Sequence, residues 1–215
     1  MSLLEFENKY QNYLLNQYDE LCSLYNNIKL SDDLFLETND ITKAIIWRMK
    51  AFSITNNKIK GFLNKKYAQA GADFFVEAIL FYLKLVLDKH KKEYEVFSER
   101  PIKRKKGSMR PDISIWDNDK VIAIIECKTN LGWHRKGWED AFKAREAMLK
   151  NDFPNAKAYL VVFTSKNWPG LSDDDVNLGE KYFILEKGLT PYITIEEIGS
   201  VIITPIEDLF KKFIN

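Results

Sequence analysis

Asp112, Glu126 and Lys128 are the residues of this chain whose types and spacing could support chemistry. Along Val121 to Lys128 the apolar residues are continuous until the last three positions. In an extended strand Ile122, Ile124, Glu126 and Lys128 share one face, and Val121, Ala123, Ile125 and Cys127 the other. A carboxylate and an ammonium therefore end that strand side by side. The preceding run, Asp112 to Trp116, is joined to it by Asp117, Asn118 and Asp119, a turn-forming cluster. Similar numbers of residues lie on each side of this turn, so a hairpin brings Asp112 back toward Glu126. Uncompensated charges in buried strands cost on the order of several kcal/mol. A divalent cation would compensate two carboxylates, and Mg2+ suits them because it prefers hard oxygen ligands and needs only one or two from the protein.

The elements that must position these groups are readable from periodicity. Residues 3 to 30 place Leu3, Phe6, Tyr10, Tyr13, Leu14, Tyr18 and Leu21 at helical spacing, predicting an amphipathic helix. A second helix is expected after Ser31 or Asp32 as N-cap. A third is expected near Asp40, with Ile41, Ala44, Ile45 and Met49 inward and a turn at Asn56 and Asn57. A strongly apolar helix follows at about 73 to 90. Strands are expected at Tyr94 to Phe97, Asp112 to Trp116, Val121 to Lys128 and Ala158 to Thr164, with a crossing helix at Trp138 to Lys150. A further strand at Tyr182 to Leu185 and a terminal helix at about Ile206 to Phe213 complete the chain. The expected fold class is α/β (α+β), a mixed central sheet flanked by helices. Within a single domain, residues 1–68 form a helical extension, 69–165 the core, and 166–215 a loop, strand and helix.

The pair Pro111, Asp112 and, after thirteen intervening residues, Glu126, Cys127, Lys128, on two adjacent strands and ahead of a helix and another strand, resembles the PD-(D/E)xK phosphodiesterases, which include many restriction endonucleases. The resemblance covers roughly residues 70 to 165 and implies a restriction endonuclease-like core. It also implies Asp112 and Glu126 as Mg2+ ligands, with Mn2+ able to substitute, the backbone carbonyl of Cys127 as a further ligand, and Lys128 beside the attacking water. The family commonly adds an acid from the helix before the sheet. Glu77 is that residue here, in a helix apolar nearly all round and expected to be buried, with Asp73, Glu93, Glu95 and Glu99 as substitutes. The cysteine thiol points to the opposite strand face, as a small core residue. The Gln-x-x-x-Tyr of the exonuclease and recombination branch is missing from the helix at 138 to 150, which argues against processive end resection.

Charge and composition narrow the partners. Net charge is +1, but residues 41 to 66 carry seven bases and no acid, and Lys84 to Arg110 carry ten bases against four acids. Such blocks draw polyanions. Lys103, Arg104, Lys105, Lys106 and Arg110, with His134, Arg135 and Lys136 just after the motif, are the expected DNA contacts, and His134 is an alternative general base. Trp133 and Trp138 either stack on bases or cover the sheet, and the loop Ser165 to Gly170 could read bases. Two cysteines exclude a disulfide framework, and two histidines leave no zinc-ligand spacing. The start, with Glu5 and Glu7, lacks a signal-peptide pattern, and no apolar run reaches the roughly 20 residues of a membrane span, so a cytoplasmic location is expected.

The expected activity is that of a Mg2+-dependent DNA endonuclease of type II restriction character, acting on duplex DNA as a homodimer whose interface the helical N-terminal third supplies. The alternatives are a repair or junction-specific nuclease sharing the same site, and a catalytically silent DNA-binding module of a defence or mobile-element system.

Overall fold

A computed structural model of the chain describes residues 2–31, 36–131, 135–165, 175–188 and 194–215. Three helices lead, α1 (Leu3–Leu30), α2 (Asp40–Phe62) and α3 (Ala72–Lys89). Strands β1 (Glu95–Ser98), β2 (Ile113–Asp117) and β3 (Lys120–Asn130) follow. Helix α4 (Arg135–Asp152) then connects to β4 (Lys157–Thr164) and β5 (Tyr182–Glu186), and α5 (Ile195–Ile198) and α6 (Ile206–Ile214) close the chain. The sheet order is β1-β2-β3-β4-β5. The first three strands are antiparallel neighbours, whereas β3–β4 and β4–β5 are parallel, giving the mixed sheet that the sequence implies.

Alternation along the strands divides the core in two. Ile113, Ile115, Ala123, Ile125, Cys127 and Val161 face α2, α3 and α6, packing on Ile45, Phe75, Ile79, Leu83 and Phe210. Ile124, Leu160, Val162 and Ile184 face Phe142 and Leu149 of α4. The β2–β3 hairpin turns at Asn118, whose φ of 53° lies in the left-handed region that asparagine tolerates. Its last pair is Ile113 with Ile125, so Asp112 and Glu126 are the next residue beyond it on each strand.

Several expectations are corrected. Asn56 and Asn57 do not form a turn. They lie inside α2, where their side-chain amides donate to the carbonyls of Phe52 and Ser53 at 3.0 and 2.9 Å, so the polar side chains bond the preceding helical turn instead of breaking it. The helix expected after Ser31 is replaced over residues 36–39 by a turn, and residues 32–35 lie outside the described residues. Helix α3 is not buried all round, because Glu77 and Lys84, two turns apart, form an exposed edge. Helix α1 forms as its spacing implies, closed by a Ser2–Glu5 capping box, but none of its residues is buried.

Two buried carboxylates tie the helices to the rest. Glu207 of α6 accepts the Thr42 backbone N–H at 2.9 Å and also the Thr42 hydroxyl, thereby capping the first turn of α2. Burial pushes the Glu207 carboxyl above its ordinary value, against these hydrogen bonds, which lower it. Lys50 of α2 meets Glu186 at the end of β5 at 2.6 Å, with both side chains buried.

Candidate active site

Pro111 has no N–H and cannot extend the β2–β3 ladder. At this point the Asp112 side chain takes over from the backbone. Its Oδ2 accepts the Cys127 N–H at 2.7 Å, and the Lys128 ammonium reaches the same oxygen at 3.4 Å. The backbone around Asp112 is pinned from β1, where the Ser98 hydroxyl donates to the Asp112 carbonyl at 3.0 Å and the Glu99 N–H to that of Pro111 at 3.2 Å. Glu99 itself has a φ of 51°, a left-handed conformation at the end of β1.

Glu126 is held differently. It is 3% exposed, on the α4 side of the sheet, and its Oε1 accepts from Arg145 Nη1 at 2.7 Å. Burial raises its carboxyl above the ordinary value and the negative charge of Asp112 raises it further, while Arg145 and Lys128 pull it down. The two acids are thus close enough to interact through their charges. The Cys127 thiol is pushed well above its ordinary value by burial and then by Asp112 and Glu126, as expected of an inert core residue.

Asp112, Cys127 and Lys128 border a cavity of about 550 Å3 that is walled on its far side by α3. Glu77 lines it, together with Asp73 and Glu99, two of the substitutes named above; Glu93 and Glu95 are not among its lining residues, and neither is Glu126. Glu77 is exposed, contrary to the burial expected of it. No group of three or more His, Cys, Asp or Glu side chains placed to hold a metal occurs among the described residues. The donor chemistry that is present fits a hard divalent cation. Asp112 and Glu126 supply carboxylate oxygens whose mutual repulsion such an ion would relieve.

The expected DNA contacts are placed unevenly. Arg104, Lys105, Lys106 and Arg110 are exposed on the β1–β2 loop, which is closed by the Ile102 N–H to Met109 carbonyl bond at 3.0 Å. Lys103 instead pairs with Asp152 at the end of α4. Arg135 and Lys136 open α4, but their side chains, His134, Trp133 and the loop residues 166–170 lie outside what is described. Trp138 is half-buried and packs edge-on to Tyr182, with ring centroids 5.2 Å apart, which favours its reading as a cover on the sheet.

Arg145 was not anticipated. Its signal was nevertheless in the sequence: Phe142, Arg145 and Leu149 recur at helical spacing, and an arginine within an apolar inward stripe calls for a carboxylate partner.

Among the described residues no helix is long and apolar enough to cross a membrane. A search of the curated proteins gave no match. Among solved structures, the chain is similar to one described as "native BbvCI A2B2 tetramer at low resolution", at 11% identity and a TM-score of 0.39, covering 97% of this chain and 90% of that one. A family profile matches residues 15–168, which include both strands of the hairpin, Arg145 of α4 and the α3 wall of the cavity. On that match the chain belongs to the family described as the type I restriction enzyme R protein N terminus (HSDR_N).

Proposed function

We propose that this chain is a Mg2+-dependent deoxyribonuclease that hydrolyses phosphodiester bonds in duplex DNA as an endonuclease of restriction type. The observation that carries this reading is the end of the β2–β3 hairpin, where Asp112 and the Lys128 ammonium pair beside an open cavity and the buried Glu126 lies close enough to feel the charge of Asp112. Membership of a restriction-enzyme family supports the substrate class.

In this reading Asp112 and Glu126, with the Cys127 carbonyl, would hold the cation, and Glu77 is the acid that completes the set from α3. A bound divalent ion supplies Lewis-acid neutralisation of phosphate charge. Lys128 orients the attacking water and stabilises negative charge on the phosphate oxygens as the phosphorus gains its fifth bond. Its salt bridge to Asp112 holds the ammonium at the site before substrate arrives. Arg145 holds the Glu126 carboxylate on the α4 side and offsets part of the cost of its burial. The exposed Arg104, Lys105, Lys106 and Arg110 contact the phosphate backbone.

A second reading, a DNA-binding domain without turnover, is favoured by one observation: Glu126 is buried on Arg145 and does not line the cavity. One assay separates the two. Supercoiled plasmid incubated with the protein and Mg2+ is expected to be nicked or linearised, and to remain intact with chelator or with Lys128→Ala. Unchanged plasmid across varied DNA sources and divalent ions, with DNA binding retained, would overturn the nuclease reading. Sequencing the ends of cut plasmid distinguishes restriction, which leaves defined ends, from repair-type cleavage.

A further inference from the structure

Helix α1 spans 28 residues, about 42 Å at 1.5 Å per residue. It touches the body only near its C-terminus. There Tyr25 donates to Asp88 at 2.5 Å and packs edge-on to Phe81, Lys29 pairs with Asp88, and Ile28 lies against the core. Residues 2–20 are exposed throughout. Yet the apolar stripe that docks at Tyr25 and Ile28 continues up the helix through Leu21, Tyr18, Leu14, Tyr13, Tyr10, Phe6 and Leu3, with Tyr18 70% exposed and Tyr13 67% exposed. Isolated amphipathic helices gain most of their stability from packing that stripe, so an arm of this kind requires a partner surface.

A surface of matching chemistry lies on the same chain, at the end of α2 and just beyond it. Phe62 is 86% exposed, and Leu63 and Tyr67 are also exposed. They are interleaved with Lys58, Lys65 and Lys66, which form no ion pair among the described residues. The arm carries the opposite charge. Glu7 and Glu20 flank its stripe and likewise form no ion pair among the described residues. Pairing one arm with another would set acid against acid, whereas pairing an arm with the α2 end joins apolar to apolar and acid to base.

We propose that two copies of this chain form a closed dimer by exchanging α1 arms, each laid on the segment 58–67 of the other copy. One two-fold operation satisfies both arms. The occupant is a second copy because this chain itself carries both complementary surfaces. None of residues 58–67 lines the Asp112 cavity, so the dimer stands or falls separately from the nuclease reading.

The test is sedimentation equilibrium of the full chain. The wild type is expected at twice the 25.2 kDa chain mass. Phe6→Glu with Tyr13→Glu is expected to give a monomer that still folds, because no α1 residue is buried, and that melts lower only by the stabilisation lost with association. Lys65→Glu with Lys66→Glu should weaken the dimer by about tenfold, and adding Glu7→Lys with Glu20→Lys should restore it. A monomeric wild type overturns the proposal, as does a dimer indifferent to the Phe6 and Tyr13 changes. A dimer broken by those changes but insensitive to lysine reversal would mean arm-to-arm pairing and would equally refute the exchange.

Discussion

Asp112 accepts the Cys127 backbone N–H at 2.7 Å, so the side chain that ends the β2–β3 ladder also presents a carboxylate to the cavity. Structure and proposed chemistry therefore separate at this residue by choice of substitution. Asp112→Asn keeps an oxygen that can accept the Cys127 N–H but removes the charge. We expect it to retain the wild-type melting temperature closely and to lose activity by about 100-fold or more, the scale of removing one electrostatic stabiliser from a catalytic site. Plasmid nicking rates and thermal melts on one preparation check both halves.

Arg145→Ala leaves the Glu126 carboxylate buried without its cation. A buried polar group stripped of its partner costs about 1–3 kcal/mol. The variant is expected to be destabilised on that scale by chemical denaturation. Combining it with Glu126→Gln should recover part of the loss, since the stranded charge is then gone.

Glu126→Gln alone should act in the opposite sense on stability and on function. The Glu126 carboxyl is raised by burial and by Asp112, so its charged form is disfavoured in the folded chain relative to the unfolded one. That penalty is full above the folded pKa and vanishes below the unfolded one. In chelator the variant should therefore melt higher than wild type at pH 8, with the gap closing as pH falls to 4, while nicking is lost. A gap that widens on acidification would contradict the assignment.

The same sign holds at Glu207, where burial outweighs the hydrogen bonds from Thr42 and raises the carboxyl. Its contribution to stability is greatest at low pH and is lost as pH rises through the folded pKa. The melting difference between wild type and Glu207→Gln should thus move against wild type between pH 4 and pH 7. Taking the difference cancels groups common to both chains.

The basic loop predicts a graded salt effect. Arg104, Lys105, Lys106 and Arg110 are exposed, whereas Lys103 is engaged by Asp152. Each exposed base replaced by alanine is expected to reduce the slope of log affinity for duplex DNA against log salt by about 0.9. Lys103→Ala should leave the slope nearly unchanged. Fluorescence anisotropy over a salt series measures it.

Much of this was readable in advance where the information is local. The alternation of Val121 to Lys128 and the turn at Asn118 were enough to bring Asp112 to Glu126, because hairpin register depends on few residues. The apolar run of α3 was equally plain. What escaped depends on contacts distant in sequence. The pairing of Glu126 with Arg145, of Glu207 with Thr42 and of Lys50 with Glu186 each joins separate elements, and none follows from spacing alone. Asn56 and Asn57 misled because their turn preference is overridden by the helix around them, whose earlier turns are anchored by Ile45, Ile46 and Met49. The stripe on α1 was correctly periodic, but periodicity cannot say whether the covering partner is the same chain.

In the proposed function Asp112 and Glu126 together hold a divalent cation facing DNA. Mn2+ titration followed by electron paramagnetic resonance, with duplex DNA present, tests it on wild type, Asp112→Asn and Glu126→Gln. Wild type is expected to bind Mn2+ in competition with Mg2+, and either substitution to weaken binding by about tenfold or more, as loss of one of the charged ligands implies. Mn2+ binding of equal strength in all three proteins, or none in any, would contradict it.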